Sequence, residues 1–345
     1  MMRRMTAPPL SMRVLLTFVR GDSAARARLL EDARAADSRQ SQIAARYLAI
    51  FLEDFATAES LAELDLAPRR KPPIRANAQL FLASLELARG RWIAAKAAFA
   101  QAERMEEVPP VLVQRAIAAT LPFLAVPRSD LDSLRSEVER WNPGAEASDP
   151  GAGLASRLQP HLRLYLLGLL SSRLGDQAGA LRIAREIERA DGPEEAHAGI
   201  RALALTIRAD VALQGRSAEQ AGRALEAVKG EVPLELVTVP VYANVREFTQ
   251  EHARHLRVLV LSAQQKHREA LQWIQTSFQG APSELVYLAP MHLQQAEIYE
   301  RLGDREKAVE HYRRFVILWR DCDPALRPVL EGAKAELARM VAEPR

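Results

Sequence analysis

The chain has 345 residues, 48% of them hydrophobic, enough apolar side chain to bury a large core or to line a long array. Its 16 glycines and 20 prolines are too few for a collagen-like or low-complexity chain. The 47 basic residues nearly balance 44 acidic ones, for a net charge of +3 without clustering, so no nucleic-acid partner is expected.

From the N-terminus, the first apolar run is Val14 to Val19, bounded by Arg13 and Arg20. It falls short of the roughly 7–15 apolar residues of a secretory signal. The most apolar internal run, Leu164 to Leu170, falls short of the ~20 residues that cross a bilayer. The expectation is a cytoplasmic chain with no membrane partner. Only six of the basic residues are lysine and the rest are arginine, which with the abundant alanine reads as the codon usage of a GC-rich bacterial genome.

Pro68 to Pro73 (Pro-Arg-Arg-Lys-Pro-Pro) is a basic turn, read as a solvated linker or, alternatively, as a contact for an acidic partner. Beyond it, apolar residues recur at three and four, the helical period. Ala83, Gly90, Ala95, Phe99 and Ala102 stand at offsets 0, +7, +12, +16 and +19. Such a glycine stops the first helix in the left-handed conformation. The small residues at 0 and +12 let two helices approach, and the aromatics fill the gap to the next pair. A further pair is expected within Val111 to Trp141. Asn142 to Gln159, rich in Pro, Gly, Ala and Ser, reads as a loop or hinge. It would divide the chain into an N-terminal subarray (1–141) and a C-terminal one (160–345).

Gly168, Gly175, Ala180, Ala184 and Ile187 repeat the offsets. Ala209, Ala212, Ala221, Leu225 and Val228 do so with Gly215 one residue early, and Val258, Leu261, Ala270, Ile274 and Ser277 fit poorly. Leu236 to Val239 is the one strand-like stretch, and it stops at Pro240. The last unit is the clearest, with Ala296, Tyr299, Gly303, Ala308, Tyr312 and Phe315 at offsets 0, +3, +7, +12, +16 and +19. The lone cysteine, Cys322, lies between Asp321 and Asp323, whose charges raise a thiol pKa and oppose an activated thiolate. A final helix from Leu326 to Ala342 has an apolar face of Val329, Leu330, Ala333, Leu337 and Met340, suited to capping an array.

The stretch Ala-Glu-Ile-Tyr-Glu-Arg-Leu-Gly-Asp-Arg-Glu-Lys-Ala, from Ala296 to Ala308, resembles the helix–turn–helix signature of the tetratricopeptide repeat family. The resemblance extends over about 75–340 with decreasing clarity toward the N-terminus. Units starting at 168, 209, 258 and 296 are 41, 49 and 38 residues apart, against 34 in the family. The array is therefore degenerate, similar to the C-terminal arrays attached to bacterial serine/threonine kinases and large transcriptional regulators.

The resemblance implies an all-α, tetratricopeptide-like α-solenoid of about seven helix pairs with a C-terminal capping helix. It implies a non-catalytic scaffold that binds a protein or peptide on its concave face, or a regulatory array detached from such a kinase or transcriptional regulator. In this family the first helix of each pair lines that face, and Lys and Asn there clamp the carboxylate of chaperone tails. The corresponding positions read Leu80 and Ser84, Tyr165 and Leu169, Thr206 and Asp210, Leu293 and Glu297, so that mode is not expected. What remains is an apolar patch of Leu162, Tyr165 and Leu169 with polar neighbours Arg173, Thr206 and Asp210. These six are the expected partner-binding residues, for an amphipathic helix or extended peptide. The competing reading buries the patch beneath neighbouring coils.

No phosphate loop, dinucleotide fingerprint or nucleophile elbow occurs. Glu247, Glu251, His252 and His255 offer metal-ligating groups on one helix, but without ligands from a second element they read as a solvated polar stripe. His161, His197, His267, His292 and His311 are scattered singly. Glu194 and Glu195 follow Pro193 in a first helical turn, where negative charge suits the helix dipole. No catalytic residue, metal or cofactor is expected, and an enzyme built on a helical scaffold is the last-ranked alternative.

Overall fold

The computed structural model describes residues 13, 17, 21–35, 40–105, 109–144, 153–228, 251–276 and 282–342. Among them there is no strand, and the chain is all-α. The strand-like Leu236 to Val239 and the candidate ligand Glu247 lie outside the described residues. The helices are α1 Ser23–Ala35, α2 Gln40–Leu52, α3 Phe55–Glu63, α4 Pro72–Ala88, α5 Trp92–Met105, α6 Pro109–Thr120, α7 Arg128–Arg140, α8 Leu154–Arg157 and α9 Gln159–Arg173. They continue as α10 Gln177–Arg189, α11 His197–Gln214, α12 Ala218–Glu226, α13 Glu251–Ala263, α14 His267–Gln275, α15 Leu288–Arg301, α16 Arg305–Trp319 and α17 Arg327–Ala342. None is long and apolar enough to cross a membrane, among the described residues.

From α2 to α16, leaving aside the single turn α8, the described helices pack in sequence as seven pairs: α2 with α3, α4 with α5, α6 with α7, α9 with α10, α11 with α12, α13 with α14, and α15 with α16. The expected pair within Val111 to Trp141 is α6 and α7. The small residues of the sequence frame sit where the helices cross. Ala83, Ala95, Ala180, Ala209, Ala221, Ala270, Ala296 and Ala308 are all completely buried. A Cβ on Gly168 would lie 2.5 Å from Ile207 Cδ1, so a larger residue there would require the Ile207 side chain of α11 to move. Phe99, Tyr312 and Phe315 are buried beside these crossings, and Tyr299 is half-buried.

The turns repeat more faithfully than the letters do. Gly90, Gly175 and Gly303, at offset +7, have φ of 71°, 87° and 77°. Arg216 and Gln265, at the same offset from Ala209 and Val258, both have φ of 60°. In all five turns the residue after this one donates its N–H to the carbonyl at offset +3, closing the first helix: Arg91 to Glu86, Asp176 to Ser171, Ser217 to Ala212, Lys266 to Leu261 and Asp304 to Tyr299, at 2.8–2.9 Å. The unit at Val258, poor in sequence, therefore has the same turn geometry as the other four. Gly215, expected to stop α11, instead keeps a φ of −73°, and the left-handed residue is Arg216. The position is set by the crossing of Ala209 and Ala221, and a glycine one residue early cannot move it. The same pattern reaches upstream to Glu53 (φ 55°), followed by buried Ala58, Ala62 and Asp65 at +5, +9 and +12 from it. Asp54, Asp176, Ser217 and Asp304 then cap the second helices through the N–H groups of Thr57, Gly179, Gln220 and Lys307.

A left-handed conformation costs a non-glycine residue about 1–2 kcal/mol, partly offset by the extra chain entropy that glycine loses on folding. Arg216→Gly is therefore expected to raise stability by about 0.5–1 kcal/mol, read as a higher urea midpoint. An unchanged or lower midpoint would show that the turn is not strained.

Two compact units divide the chain, one of residues 1–107 with 278–286 and one of 108–277 with 287–345. In the first, Arg89, which caps the end of α4, reaches Glu59 on α3 at 2.8 Å and Glu86 at 3.0 Å. The basic turn is partly spent internally, because Arg70 pairs at 3.2 Å with the fully buried Asp65. In the second, the expected hinge at 142–159 does not separate two subarrays. The helices on its two sides pack together, with Arg163 of α9 donating to the carbonyls of Val138 (3.0 Å) and Glu139 (2.7 Å) at the end of α7. Leu154 and Leu158 within it are buried. A Pro/Gly-rich composition predicts a loop, but not whether its flanks stay together. Helix α17 lies on α16 through Leu330, Ala333 and Met340, and Arg305 donates to the Met340 carbonyl at 2.8 Å. Val329, assigned by sequence to that apolar face, is exposed.

Candidate functional site

Of the six expected partner-binding residues, five are interior. Leu162, Tyr165 and Leu169 are 0%, 2% and 2% exposed, because α9 is packed on by α6, α7, α10 and α11. Thr206 is buried and donates back to the Ala202 carbonyl of its own helix at 2.7 Å. Asp210 is 3% exposed. Arg173 alone is half-buried. The apolar patch is thus part of the core, which is the reading that buries it beneath neighbouring helices.

What the fold assembles around Asp210 is a polar seam. Ser172 on α9 donates to Asp210 Oδ2 on α11 at 2.5 Å, and Gln214 Nε2 donates to Asp210 Oδ2 (2.9 Å) and Ser172 Oγ (2.8 Å). His252 on α13, 3% exposed, places Nε2 3.7 Å from Asp210 Oδ1, an ion-pair distance beyond a direct hydrogen bond. In the unit frame Ser172 is at +4, Asp210 at +1 and His252 at −6, a diagonal across the first helices of three successive pairs. Burial pushes the Asp210 carboxyl up, but His252, the Ser172 hydroxyl and the Arg173 guanidinium outweigh it and hold it below the usual range. A buried carboxylate kept charged in this way needs every one of those partners.

The order of the groups limits the chemistry. The carboxylate stands between serine and histidine, so the Ser172 proton goes to Asp210 and the imidazole does not face the hydroxyl it would have to deprotonate. The seam is an electrostatic and hydrogen-bonded joint between α9, α11 and α13.

Beside it lies a second group. His255, one turn along α13 from His252, is buried, and its ring meets Phe123 edge-on (centroids 5.1 Å) and tilts against Tyr287 (5.6 Å). Phe123 also meets Tyr287 edge-on at 5.5 Å. Gln294 Nε2 of α15 is 3.4 Å from His255 Nδ1. Burial first, and His252 second, push the His255 pKa down to about 3, so the ring is neutral. Arg173 donates to the carbonyls of Leu124 (2.9 Å) and Pro122 (3.5 Å), in the turn between α6 and α7.

His252 and His255, read in sequence as part of a solvated stripe, therefore face the interior of α13. Glu251, at the start of the same helix, meets Arg254 at 3.3 Å. Two histidines expected to stand singly meet, with His292 Nδ1 3.0 Å from His311 Nδ1 and Tyr299 stacked on His311. No cluster of three or more metal-ligating side chains occurs among the described residues. The Cys322 thiol is pushed up as expected, though burial is the larger cause and Asp323 a lesser one. The residues missed in sequence, Ser172, Gln214 and Phe123, had one available signal: the first two lie at +4 and +5 of the repeat frame, beside positions already singled out. Phe123 had none, because it lies in a turn. No protein-family model matches this chain, and a search of curated proteins finds none that matches it.

Proposed function

We propose that this chain is a non-catalytic interaction scaffold of the tetratricopeptide type, an α-solenoid that binds a peptide or helix of a partner protein along the face formed by the first helices of its pairs. The observation that carries the reading is the five-fold recurrence of one turn, left-handed at +7 and closed onto +3, between helices that cross on fully buried small residues. A turn repeated in this way between paired helices is what a tandem helical array requires, and it supports the reading. The Asp210 seam supports the reading by joining three of those helices through polar groups, with no nucleophile and base in working order.

The test is reconstitution. The tagged chain is used to isolate a partner from its host, and the complex is then rebuilt from the two purified proteins. A saturable complex is expected, weakened at least about tenfold by Arg173→Glu, since about 1.4 kcal/mol at one contact gives that factor. A partner that binds the variant as tightly as the parent, or that leaves chemically altered, would count against a scaffold working through this face.

A further inference from the structure

The α6–α7 turn, Leu121-Pro-Phe-Leu-Ala-Val126, does something that stacking of neighbouring pairs does not require. A connecting turn normally touches its own pair and the next one. This turn passes α9 to α12 and places Phe123 between His255 of α13 and Tyr287, the residue preceding α15. Those side chains belong to the third and fourth pairs beyond its own. Its backbone is held in turn, because Arg173 at the end of α9 donates to the Pro122 and Leu124 carbonyls. Leu121 and Leu124 are buried, Phe123 is half-buried and Pro122 is exposed. An arginine on main-chain carbonyls and an aromatic seat for one side chain are the elements by which a protein holds an extended peptide: backbone groups give affinity and the pocket gives specificity. Arg173 and His255 both stand on first helices, at +5 and −3 of the frame. Beside the seat, Gln294 Oε1 is buried with no hydrogen-bond partner among the described residues, an acceptor that a peptide N–H would satisfy.

We propose that the 121–126 turn is a resident occupant of the chain's own peptide-binding face. The partner that displaces it is an extended apolar segment carrying one aromatic side chain for the Phe123 seat. The proposal rests on the interaction-scaffold reading and adds to it the class of ligand and a built-in competitor. The resident segment lowers apparent affinity by the fraction of time the face is open, which suppresses weak apolar ligands while a well-matched one binds.

The probe is a fluorescein-labelled peptide of the sequence of residues 119–128, followed by anisotropy. It is expected to bind Phe123→Ala at least about tenfold tighter than the parent, because the resident anchor is gone while the seat remains. Adding Arg173→Ala, or changing the peptide's own phenylalanine to alanine, should abolish the gain. Equal binding to the parent and to a cooperatively unfolding Phe123→Ala would overturn the proposal, making the turn ordinary core. Should Phe123→Ala not fold, hydrogen exchange on the parent chain decides. Amides of Leu121 and Phe123 to Val126 that open more readily than those of α9 and α11 support displacement, and amides that exchange only as slowly as those helices overturn it. Peptide failure alongside a reconstituted partner complex removes the resident-occupant proposal alone. Failure of both removes the scaffold reading too.

Discussion

Replacing Asp210 with alanine is expected to lower the stability of the chain by about 3–5 kcal/mol, the usual cost of deleting one member of a buried charged network. Ser172 and Gln214 each lose the oxygen to which they donate, and His252 loses the carboxylate 3.7 Å from its Nε2. Three helices from three successive pairs meet at this carboxylate, so the loss is felt across the row and not within one pair. Asp210→Asn separates the two contributions. It keeps an oxygen that accepts from Ser172 and removes the charge, and is expected to cost clearly less than the alanine variant. Urea unfolding at neutral pH measures both. An alanine variant within about 1 kcal/mol of the parent would show that the seam relaxes or hydrates, and that Asp210 is not its keystone.

The second large effect is on pH dependence. The folded-state pKa of His255 is about 3, below the roughly 6.5 of an unfolded histidine. Above pH 6.5 the ring is neutral in both states and its contribution is fully present. As pH falls below 6.5 the unfolded chain takes up a proton that the folded chain refuses, so stability is lost, and the loss continues until the folded ring titrates near pH 3. The slope is about 1.4 kcal/mol per pH unit, or about 2 kcal/mol between pH 6.5 and 5. Buried His161 is shifted in the same direction, chiefly by burial. Asp210, held below the usual carboxylate range, adds its own loss only as pH drops through and below the unfolded carboxylate value near 3.9. His255→Gln removes the titrating ring. Comparing urea midpoints of the two proteins at pH 7 and pH 5 is expected to show a smaller acid loss in the variant by about 2 kcal/mol. Parallel slopes would mean that His255 is protonated in the fold or hydrated in place.

Both effects arise at residues that the sequence treats unevenly. Asp210 was legible as a position facing the partner side of its helix, and His252 and His255 as neighbours on a helix. That they meet was not legible, since Ser172, Asp210 and His252 are 38 and 42 residues apart. Their convergence depends on the register in which α9, α11 and α13 lie side by side. Periodicity along one helix identifies the face a side chain occupies. It does not tell whether that face meets water or another helix, and of the two readings left open for Leu162, Tyr165 and Leu169 the structure takes the covered one.

The hinge at 142–159 shows the same boundary between levels. Proline and glycine report that the chain cannot continue as helix, and no described helix of more than one turn lies between Arg140 and Gln159. They carry no information on the Arg163 hydrogen bonds that hold α7 to α9 across it.

The sequence by itself determined the all-α class, the pairing of helices and the small residues at their crossings, because these follow from local periodicity and from side-chain volume within about 20 residues. It also determined that Gly90, Gly175 and Gly303 end helices, since a left-handed residue is a local demand. Only the tertiary structure decided that Arg216 and Gln265 take the same conformation without glycine, because there the crossing of two packed helices imposes the turn and the residue bears the strain. Only it decided that the Phe123 turn reaches His255 on α13, six helices beyond α7, and that Asp210, His252 and His255 are interior. Those contacts are fixed by the stacking of successive pairs, a long-range geometry that no single stretch of sequence encodes.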